Sequence, residues 1–325
     1  MTETCVAVTG GTGFLGRYIV NRLLSDGHTC RCWHRASSDR GGFIGDARGI
    51  TWIEGGLHEP QSIEPLLKGA DAVVHAGLYW PPRGRGHRGG DGNIVDFART
   101  NIIGTLSLIE SARDAAIDRF VFISTCGVHD VILDDRPLDE THPLWPLSHY
   151  GAYKSAVEKF VHSFGMRHAP PKTAAPTHKH LSPKGAWGIC ALRPAGIYGL
   201  RRPVDRGKWY GVVSDVLAGR RVDDPSGGKE VHAEDVAAAV CLLLAAQTDS
   251  IGGQSFNCCD LYVSAQDVAR IASDQTGSRS DVADTNRGPK NRIETGKLQA
   301  LGMKFSGRPR LEQYVSELIE AIRDG

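Results

Sequence analysis

Tyr150 and Lys154 are the two residues whose types and spacing most directly suggest chemistry. They are four positions apart at the start of a predicted helix, so both side chains would lie on one face of it. Tyrosine is a poor base because its pKa is ordinarily near ~10, but a neighbouring ammonium group favours the phenolate and lowers that pKa. Tyr153 is adjacent to Lys154 and is expected to point elsewhere on the helix. The pair predicts acid–base catalysis by Tyr150, although the same spacing also occurs in ordinary surface pairs.

Thr125 is the third candidate catalytic residue. It follows an apolar run at 120–123 that predicts a strand, so its hydroxyl could hold a substrate oxygen at the carboxyl end of that strand. The next residue, Cys126, could also touch substrate. A small apolar wall residue is the preferred interpretation of Cys126, because a reactive thiol needs a lowered pKa.

Three glycines at the start of the chain predict where a cofactor binds. A short β-branched run leads into Gly10, Gly13 and Gly16, after which apolar residues recur at helical spacing. This pattern of strand, tight turn and helix opens a βαβ unit. Phosphates would lie at the helix N-terminus, where free N–H groups and the helix dipole favour negative charge. We therefore predict dinucleotide binding, with an ordinary strand–helix turn as the alternative.

The residues after the second predicted strand, at 29–34, bear on which dinucleotide binds. Arg35 is followed by Ser37, and no carboxylate occurs before Asp39. An acidic residue about 20 positions after the glycines binds the ribose hydroxyls of NAD, whereas an arginine accommodates the 2′-phosphate of NADP. The sequence favours NADP(H), with NAD(H) as the alternative and a solvated loop arginine as the simplest other explanation of Arg35.

Strands and helices alternate along the chain, which predicts an α/β fold with a doubly wound parallel sheet. Ligands of such sheets bind at the carboxyl ends of the strands. Besides the first two strands, we predict strands at 50–54, 72–77, 120–123, 189–192 and 256–258, and helices at 101–112, from 150, from 235 and at 311–322.

Composition excludes several classes of protein. The 325 residues carry a net charge of +1 and are 41% hydrophobic, so nothing calls for a nucleic-acid or membrane-surface partner. No apolar run approaches the ~20 residues of a membrane span, and we expect no signal peptide. The eight cysteines form no Cys-x-x-Cys, so we expect reduced thiols in a cytoplasmic protein.

Two irregular insertions interrupt the pattern. The stretch 79–93 is rich in Gly, Pro and basic residues, which fits a mobile solvated loop better than a lid over an anionic substrate. The stretch 168–187 contains His178 and His180, but with no carboxylate or cysteine beside them we predict no metal site.

Taken in order, these motifs make the chain resemble the extended short-chain dehydrogenases/reductases, the NAD-dependent epimerase/dehydratase family. The resemblance implies a Rossmann-type sheet with a smaller, discontinuous C-terminal substrate-binding region. The matching stretches, which span nearly the whole chain, are 9–16, 71–76, 101–105, 119–125, 150–154, 192–199, 231–237 and 297–302.

The resemblance also implies residue roles. Tyr150 would be the catalytic acid/base, Lys154 would bind the nicotinamide ribose and tune Tyr150, and Thr125 would orient the substrate. The candidate substrate contacts are Cys126, Tyr79 and Arg202. The candidate cofactor contacts are Gly10, Gly13, Phe14, Leu15, Gly16, Arg35, Ser37, Leu57, Ala76, Gly77, Asn101, Lys154, Pro194 and Ile197.

Domain organisation and assembly follow from the same resemblance. The dinucleotide-binding domain would comprise 1–195 plus roughly 231–259, and the substrate-binding region roughly 196–230 and 260–325. Similar proteins often form homodimers through two helices, here at 98–113 and 150–165.

Departures from the family pattern narrow the set of reactions that we expect, and one of them bears on adenine binding. Dehydratases acting on sugar nucleotides carry Asp-Glu after the catalytic threonine, where this chain has Cys126 and Gly127. The 4-epimerases usually place an asparagine after Arg-Pro, where this chain has Ala195 and Gly196. Gly56 stands where an aspartate commonly touches adenine.

We therefore expect an NAD(P)-dependent oxidoreductase acting on a small carbonyl or alcohol. A nucleotide-sugar epimerase or reductase is the alternative, with Arg83, Arg85, Arg201, Arg202 and Arg206 as a possible diphosphate clamp. A non-catalytic dinucleotide sensor is a third hypothesis, because fold does not fix function.

Overall fold

A computed structural model describes residues 3–43, 47–80, 93–166, 187–284, 288–289 and 291–324. Most of the two predicted insertions, together with Arg83, Arg85, His178 and His180, lies outside these residues.

Seven parallel strands form the central sheet, in the order β3-β2-β1-β4-β5-β6-β9. Both faces of this sheet are covered, which explains why β4 and β6 are buried along their whole length. The topology confirms the predicted doubly wound, Rossmann-type α/β fold. The strands are β1 (Cys5–Thr9), β2 (Thr29–His34), β3 (Ile50–Glu54), β4 (Ala72–His75), β5 (Arg119–Ile123), β6 (Gly188–Pro194) and β9 (Ser255–Cys258).

Helices pack on both faces of this sheet. Apolar residues of α1 and α7 cover one face, and those of α2, α4 and α5 cover the other. Their bounds are α1 (Phe14–Ser25), α2 (Ile63–Leu67), α3 (Ile94–Ala98), α4 (Gly104–Asp114), α5 (His149–Met166) and α7 (Ala233–Ala245), with the one-turn helix α8 (Thr248–Ile251) before β9. A π-helical turn at Arg99–Ile103 joins α3 to α4, so the helix predicted at 101–112 is part of a longer helical segment.

A second, three-stranded sheet has the order β10-β8-β7. It has its own apolar core with the helices around it, and none of its strands follows from the sequence pattern. The elements are β7 (Gly196–Tyr198), β8 (Gly227–His232), β10 (Leu261–Ser264), α6 (Tyr210–Leu217), α9 (Ala265–Thr276) and α11 (Gly307–Arg323).

One C-terminal segment packs with the large sheet instead. Leu298, in the short helix α10 (Gly296–Ala300), and Met303 belong to the core on the α1/α7 face. The segment from 296 to 305 therefore differs in its packing from the rest of the predicted substrate-binding region. In the described part of the chain, every helix is too short or too polar to cross a membrane.

Candidate active site

The glycine turn between β1 and α1 has the geometry of a phosphate cradle. Gly10 has a φ of 72°, and a methyl group added there would lie 2.8 Å from the Ala76 backbone. A methyl group on Gly16 would overlap the Gly10 carbonyl oxygen. Gly13 caps α1, whose first turn contains no acidic residue. The N-terminus of α1 is therefore open to an anion, and the chain here fits a dinucleotide pyrophosphate.

Several predicted cofactor residues lie at the carboxyl edge of the sheet, around this turn. Gly77 follows β4, and its N–H donates to Thr9 Oγ1 at 2.9 Å. Leu57 is buried after β3. The remaining members of this group are Phe14 and Leu15 at the start of α1, Ala76 after β4, Pro194 at the end of β6 and Ile197 in β7.

Asn101 holds the chain that follows β4. Its amide oxygen accepts from Tyr79 N–H at 2.9 Å, and its amide nitrogen donates to the carbonyls of Tyr79 and Phe97. Both hydrogens of the fully buried amide are thus used inside the protein. A cofactor contact by Asn101 stays a prediction.

Arg202, a candidate substrate contact, forms an ion pair after β2. Its guanidinium is 3.6 Å from the Asp39 carboxylate, which also pairs with Arg17 at 3.0 Å. This cluster follows β2, on the side where the cofactor ribose is expected, and Arg202 does not line the substrate cleft described below. Arg35 and Ser37 are exposed in the same segment, and the Arg35 guanidinium forms no ion pair with any described residue.

Thr125 and Tyr150 are brought together as predicted. Thr125 caps a short 3-10 turn, accepting from Gly127 N–H at 3.0 Å, and its side chain lies close enough to the Tyr150 phenol to lower the pKa of that phenol. Burial raises the pKa of Tyr150 above its ordinary value, and Thr125 only partly offsets that rise. The pKa of the buried phenol is therefore raised, not lowered as the sequence suggested.

Lys154 is buried beside Tyr150, with only 3% of the residue exposed. Its Nζ donates to the Ile123 carbonyl at 2.6 Å and lies 5.6 Å from the Tyr150 ring centroid. Burial lowers the pKa of Lys154 to about 7, while Glu158 acts in the opposite direction. Lys154 therefore changes charge near neutral pH. Above that pH its side chain is neutral, so it supports the Tyr150 phenolate less than a permanent cation would.

Tyr153 does not point away, contrary to the sequence expectation. Its hydroxyl lies 3.4 Å from Lys154 Nζ, and its ring centroid lies 4.8 Å from the same nitrogen. Residue spacing alone missed this contact, because the buried lysine side chain extends back towards β5 instead of along the helix surface.

A buried ion pair between β6 and α5 supports this part of the helix. Arg193 of β6 donates to Glu158 with Nε at 3.0 Å from both carboxylate oxygens, and the two side chains are 4% and 3% exposed. Ser124 and Ser255 donate to the same carboxylate. The sequence signal for this pair was an acidic residue four positions after Lys154, one helical turn along.

A cleft of about 460 Å³ opens beside Thr125, between the two sheets. Glycine backbone, including that of Gly196, forms one wall of the cleft. A side chain would not fit at Gly196, because a methyl group there would lie 2.5 Å from the Glu230 carboxylate. Cys126 lines the cleft as predicted, and its thiol donates to the Arg193 carbonyl at 3.0 Å. Burial raises the pKa of Cys126, so it is a wall residue and not a thiolate.

Tyr79 does not line this cleft, and its role as a substrate contact stays a prediction. Its hydroxyl donates to Asp96 of α3 at 2.8 Å. Its neighbour Trp80, which no sequence motif marked, stacks on Tyr150 with ring centroids 6.0 Å apart.

Two other features lie outside the cleft. Arg201, which the sequence suggested only as a diphosphate ligand, lies with its guanidinium carbon 4.4 Å from the Phe14 ring centroid, beside the glycine turn. A second cavity, of about 510 Å³, lies near Thr4 and Cys241 at the opposite edge of the sheet from Tyr150.

A family model and several curated proteins match this chain. The model of the NAD dependent epimerase/dehydratase family matches residues 6–259. A 4-hydroxy-2-methyl-3-oxo-4-farnesyl-3,4-dihydroquinoline-1-oxide ketoreductase of Stigmatella aurantiaca is 33% identical over 159 residues, which is 47% of this chain and 44% of the relative. The decarboxylating sterol-4-alpha-carboxylate 3-dehydrogenase of Mus musculus is 28% identical over 198 residues, 60% of this chain and 46% of the relative.

Solved structures share the fold. A UDP-glucose 4-epimerase of Thermus thermophilus, in complex with NAD, superposes with a TM-score of 0.70 at 21% identity, covering 98% of this chain and 99% of that one. The alignments with the two curated relatives span less than half the length of each.

Proposed function

Because the chain belongs to the NAD dependent epimerase/dehydratase family, we propose that it is an NADP(H)-preferring reductase or dehydrogenase of a small carbonyl or alcohol. The observation that carries the proposal is the proximity of Thr125, which lines the cleft, to the Tyr150 phenol, with Lys154 Nζ 5.6 Å from the Tyr150 ring centroid. This is the arrangement that proton transfer to a carbonyl oxygen needs.

The chain's own residues would carry the proton. When bound, the cofactor supplies or accepts a hydride at nicotinamide C4. In reduction, Tyr150 gives its phenol proton to the substrate oxygen, which Thr125 holds; in oxidation, Tyr150 takes the proton back. Lys154 stabilises the phenolate left on Tyr150 and, as in the family, would hold the nicotinamide ribose.

The cleft favours a small carbonyl substrate over a nucleotide sugar. Lys229 is the only lysine or arginine that lines it within the described residues. Arg201 and Arg202, two of the proposed diphosphate ligands, are directed at Phe14 and Asp39 instead. The name of the Stigmatella aurantiaca relative, a ketoreductase, is consistent with this preference.

NADP(H) preference is supported by the Arg35 side chain, which is exposed after β2. Arg35→Ala should weaken NADPH binding by about tenfold to a hundredfold and leave NADH binding unchanged, because one charge-assisted contact to a phosphate is lost. Arg40→Ala, a change of the same charge in the same exposed segment, is the matched control. Equal losses for both cofactors would refute the assignment of Arg35.

The alternative is a nucleotide-sugar epimerase or reductase, and the purified protein distinguishes the two. An epimerase reoxidises its own cofactor, so denaturation should release stoichiometric NAD(H) that did not dissociate beforehand. A protein that binds NADPH reversibly, and more tightly than NADH, supports the reductase.

Tyr150→Phe tests whether the chain is catalytic in the proposed way. We expect turnover to fall by about a hundredfold to ten-thousandfold while cofactor binding is retained. Substantial remaining turnover would remove Tyr150 from the mechanism. Tight cofactor binding without turnover on any carbonyl or sugar nucleotide would favour the non-catalytic sensor.

We also propose a homodimer formed through the helical segments around 98–113 and 150–165. Ile103 and Phe160 lie on these segments and are 56% and 42% exposed, which is unusual for large apolar side chains.

A further inference from the structure

A chain of buried polar groups leads from the glycine turn to Lys154. Thr9 Oγ1 lies 2.6 Å from His75 Nδ1, and His75 Nε2 lies 2.8 Å from Thr105 Oγ1. The Thr105 side chain also lies close enough to Tyr153 to lower the pKa of its phenol, and the Tyr153 oxygen lies 3.4 Å from Lys154 Nζ. All five side chains are at least 97% buried. The proposed mechanism uses only the last of them.

The donor and the acceptor of each hydrogen bond can be assigned by starting from Thr105. The Thr105 hydroxyl donates to the Asn101 carbonyl at 2.6 Å, and a carbonyl can only accept. With its one proton used, Thr105 accepts from His75 Nε2 and keeps one lone pair, to which the neighbouring Tyr153 hydroxyl can donate.

The rest of the chain follows in the same sense. Burial lowers the pKa of His75 to about 3, so the ring is neutral and carries a single N–H, at Nε2. Its Nδ1 then accepts from Thr9, which accepts in turn from Gly77 N–H. Burial raises the pKa of Tyr153, so its phenol stays protonated.

These protonation states bear on the hydrogen bonds of Lys154. Because an ammonium group has no acceptor, the phenol oxygen of Tyr153 accepts from Nζ, and its own proton is free to turn towards Thr105. The titratable groups around Lys154 are Tyr150, Tyr153 and Glu158 on α5 and His75 on β4. Of these four, Tyr153 is the one within hydrogen-bond distance of Nζ; β5 contributes the Ile123 carbonyl and, at 4.6 Å, the Phe122 ring.

We infer that Tyr153 is a positioning residue for the catalytic lysine: oriented by Thr105, its phenol oxygen accepts from Lys154 Nζ and holds the ammonium group beside Tyr150. The inference rests on the proposed function for the catalytic importance of Lys154, but the contact itself does not depend on it. Without this acceptor the buried ammonium would keep one fewer hydrogen bond and would lose its proton at lower pH.

The test measures the titration of Lys154 directly and needs no substrate. The full-length protein is prepared with lysine labelled with ¹³C at the ε carbon, and the Lys154 resonance is assigned by its disappearance in Lys154→Arg. Its NMR shift is followed against pH in the wild type, Tyr153→Phe and Tyr150→Phe. Both phenylalanine variants keep the ring and remove one hydroxyl from α5, so the second is a matched control.

We expect the wild-type midpoint near the value of about 7 set by burial. Tyr153→Phe should lower it by about one pH unit, the amount expected from losing one hydrogen bond to a charged group. Tyr150→Phe should leave the midpoint unchanged. Equal midpoints in the wild type and Tyr153→Phe, or equal shifts in the two variants, would overturn the inference.

Thr105→Val keeps the inference falsifiable if Tyr153→Phe does not fold. This change frees the Tyr153 proton from its acceptor and should lower the Lys154 midpoint in the same direction by a smaller amount; no shift would contradict the assigned proton directions. Full turnover by Tyr150→Phe would refute the proposed function while leaving the Lys154 result intact, so the two failures are distinguishable.

Discussion

Replacing Lys154 with methionine should stabilise the fold while inactivating the protein. The pKa of Lys154 falls from 10.5 to about 7 on burial. Between these pH values the unfolded chain binds the proton more tightly than the folded one, so wild-type stability rises with pH across that interval. At about pH 7 the buried lysine costs roughly 4 kcal/mol of folding free energy, at about 1.36 kcal/mol per pKa unit.

Methionine fills a similar volume without a charge to bury. It leaves the Ile123 carbonyl and the Tyr153 hydroxyl without their Lys154 donor, which costs about 1 kcal/mol. The net expectation is a gain of about 3 kcal/mol at about pH 7, falling to about zero near pH 10 as the lysine of the unfolded wild-type chain loses its charge.

Urea unfolding of both proteins at several pH values from about 7 to about 10 measures this difference, and titrations common to both cancel. Lys159→Met is the control, since Lys159 is exposed on the same helix and should show little difference at any pH. A Lys154→Met protein less stable than the wild type at neutral pH, or a gap that does not change with pH, would refute the reasoning. The expected loss of turnover marks Lys154 as a residue kept for function at a cost in stability.

Three other perturbations test the remaining parts of the structure. Gly16→Ala should abolish dinucleotide binding, measured by calorimetry, because its methyl group overlaps the Gly10 carbonyl; unchanged affinity would contradict the close turn. Glu158→Gln should reduce the free energy of unfolding by about 3–5 kcal/mol, because it leaves Arg193 buried without its counter-charge. A loss below about 1 kcal/mol in urea would show that the pair contributes little. Phe160→Glu should give a monomer in analytical ultracentrifugation without loss of helix content, and an unchanged sedimentation coefficient would rule out this face as the interface.

The sequence by itself determined the features that depend on local pattern. The glycines after β1 predicted the turn and the N-terminus of α1, because only glycine allows such close backbone approach at Gly10 and Gly16. Alternation of apolar strands and helices predicted the parallel sheet. The position of Thr125 after a strand and of Tyr150 at a helix start was enough to predict their meeting at one edge.

Only the tertiary structure decided what those residues touch. Asn101 and Tyr79 hold each other and α3, so neither faces the cleft, and Arg202 reaches a carboxylate on a loop about 160 positions earlier in the chain. The strands β7, β8 and β10 are short and pair across long separations, so no local periodicity marks them. Burial, a property of the whole fold, set the pKa of Lys154 near neutrality and directed it to Tyr153, and spacing along a helix carries no information about either.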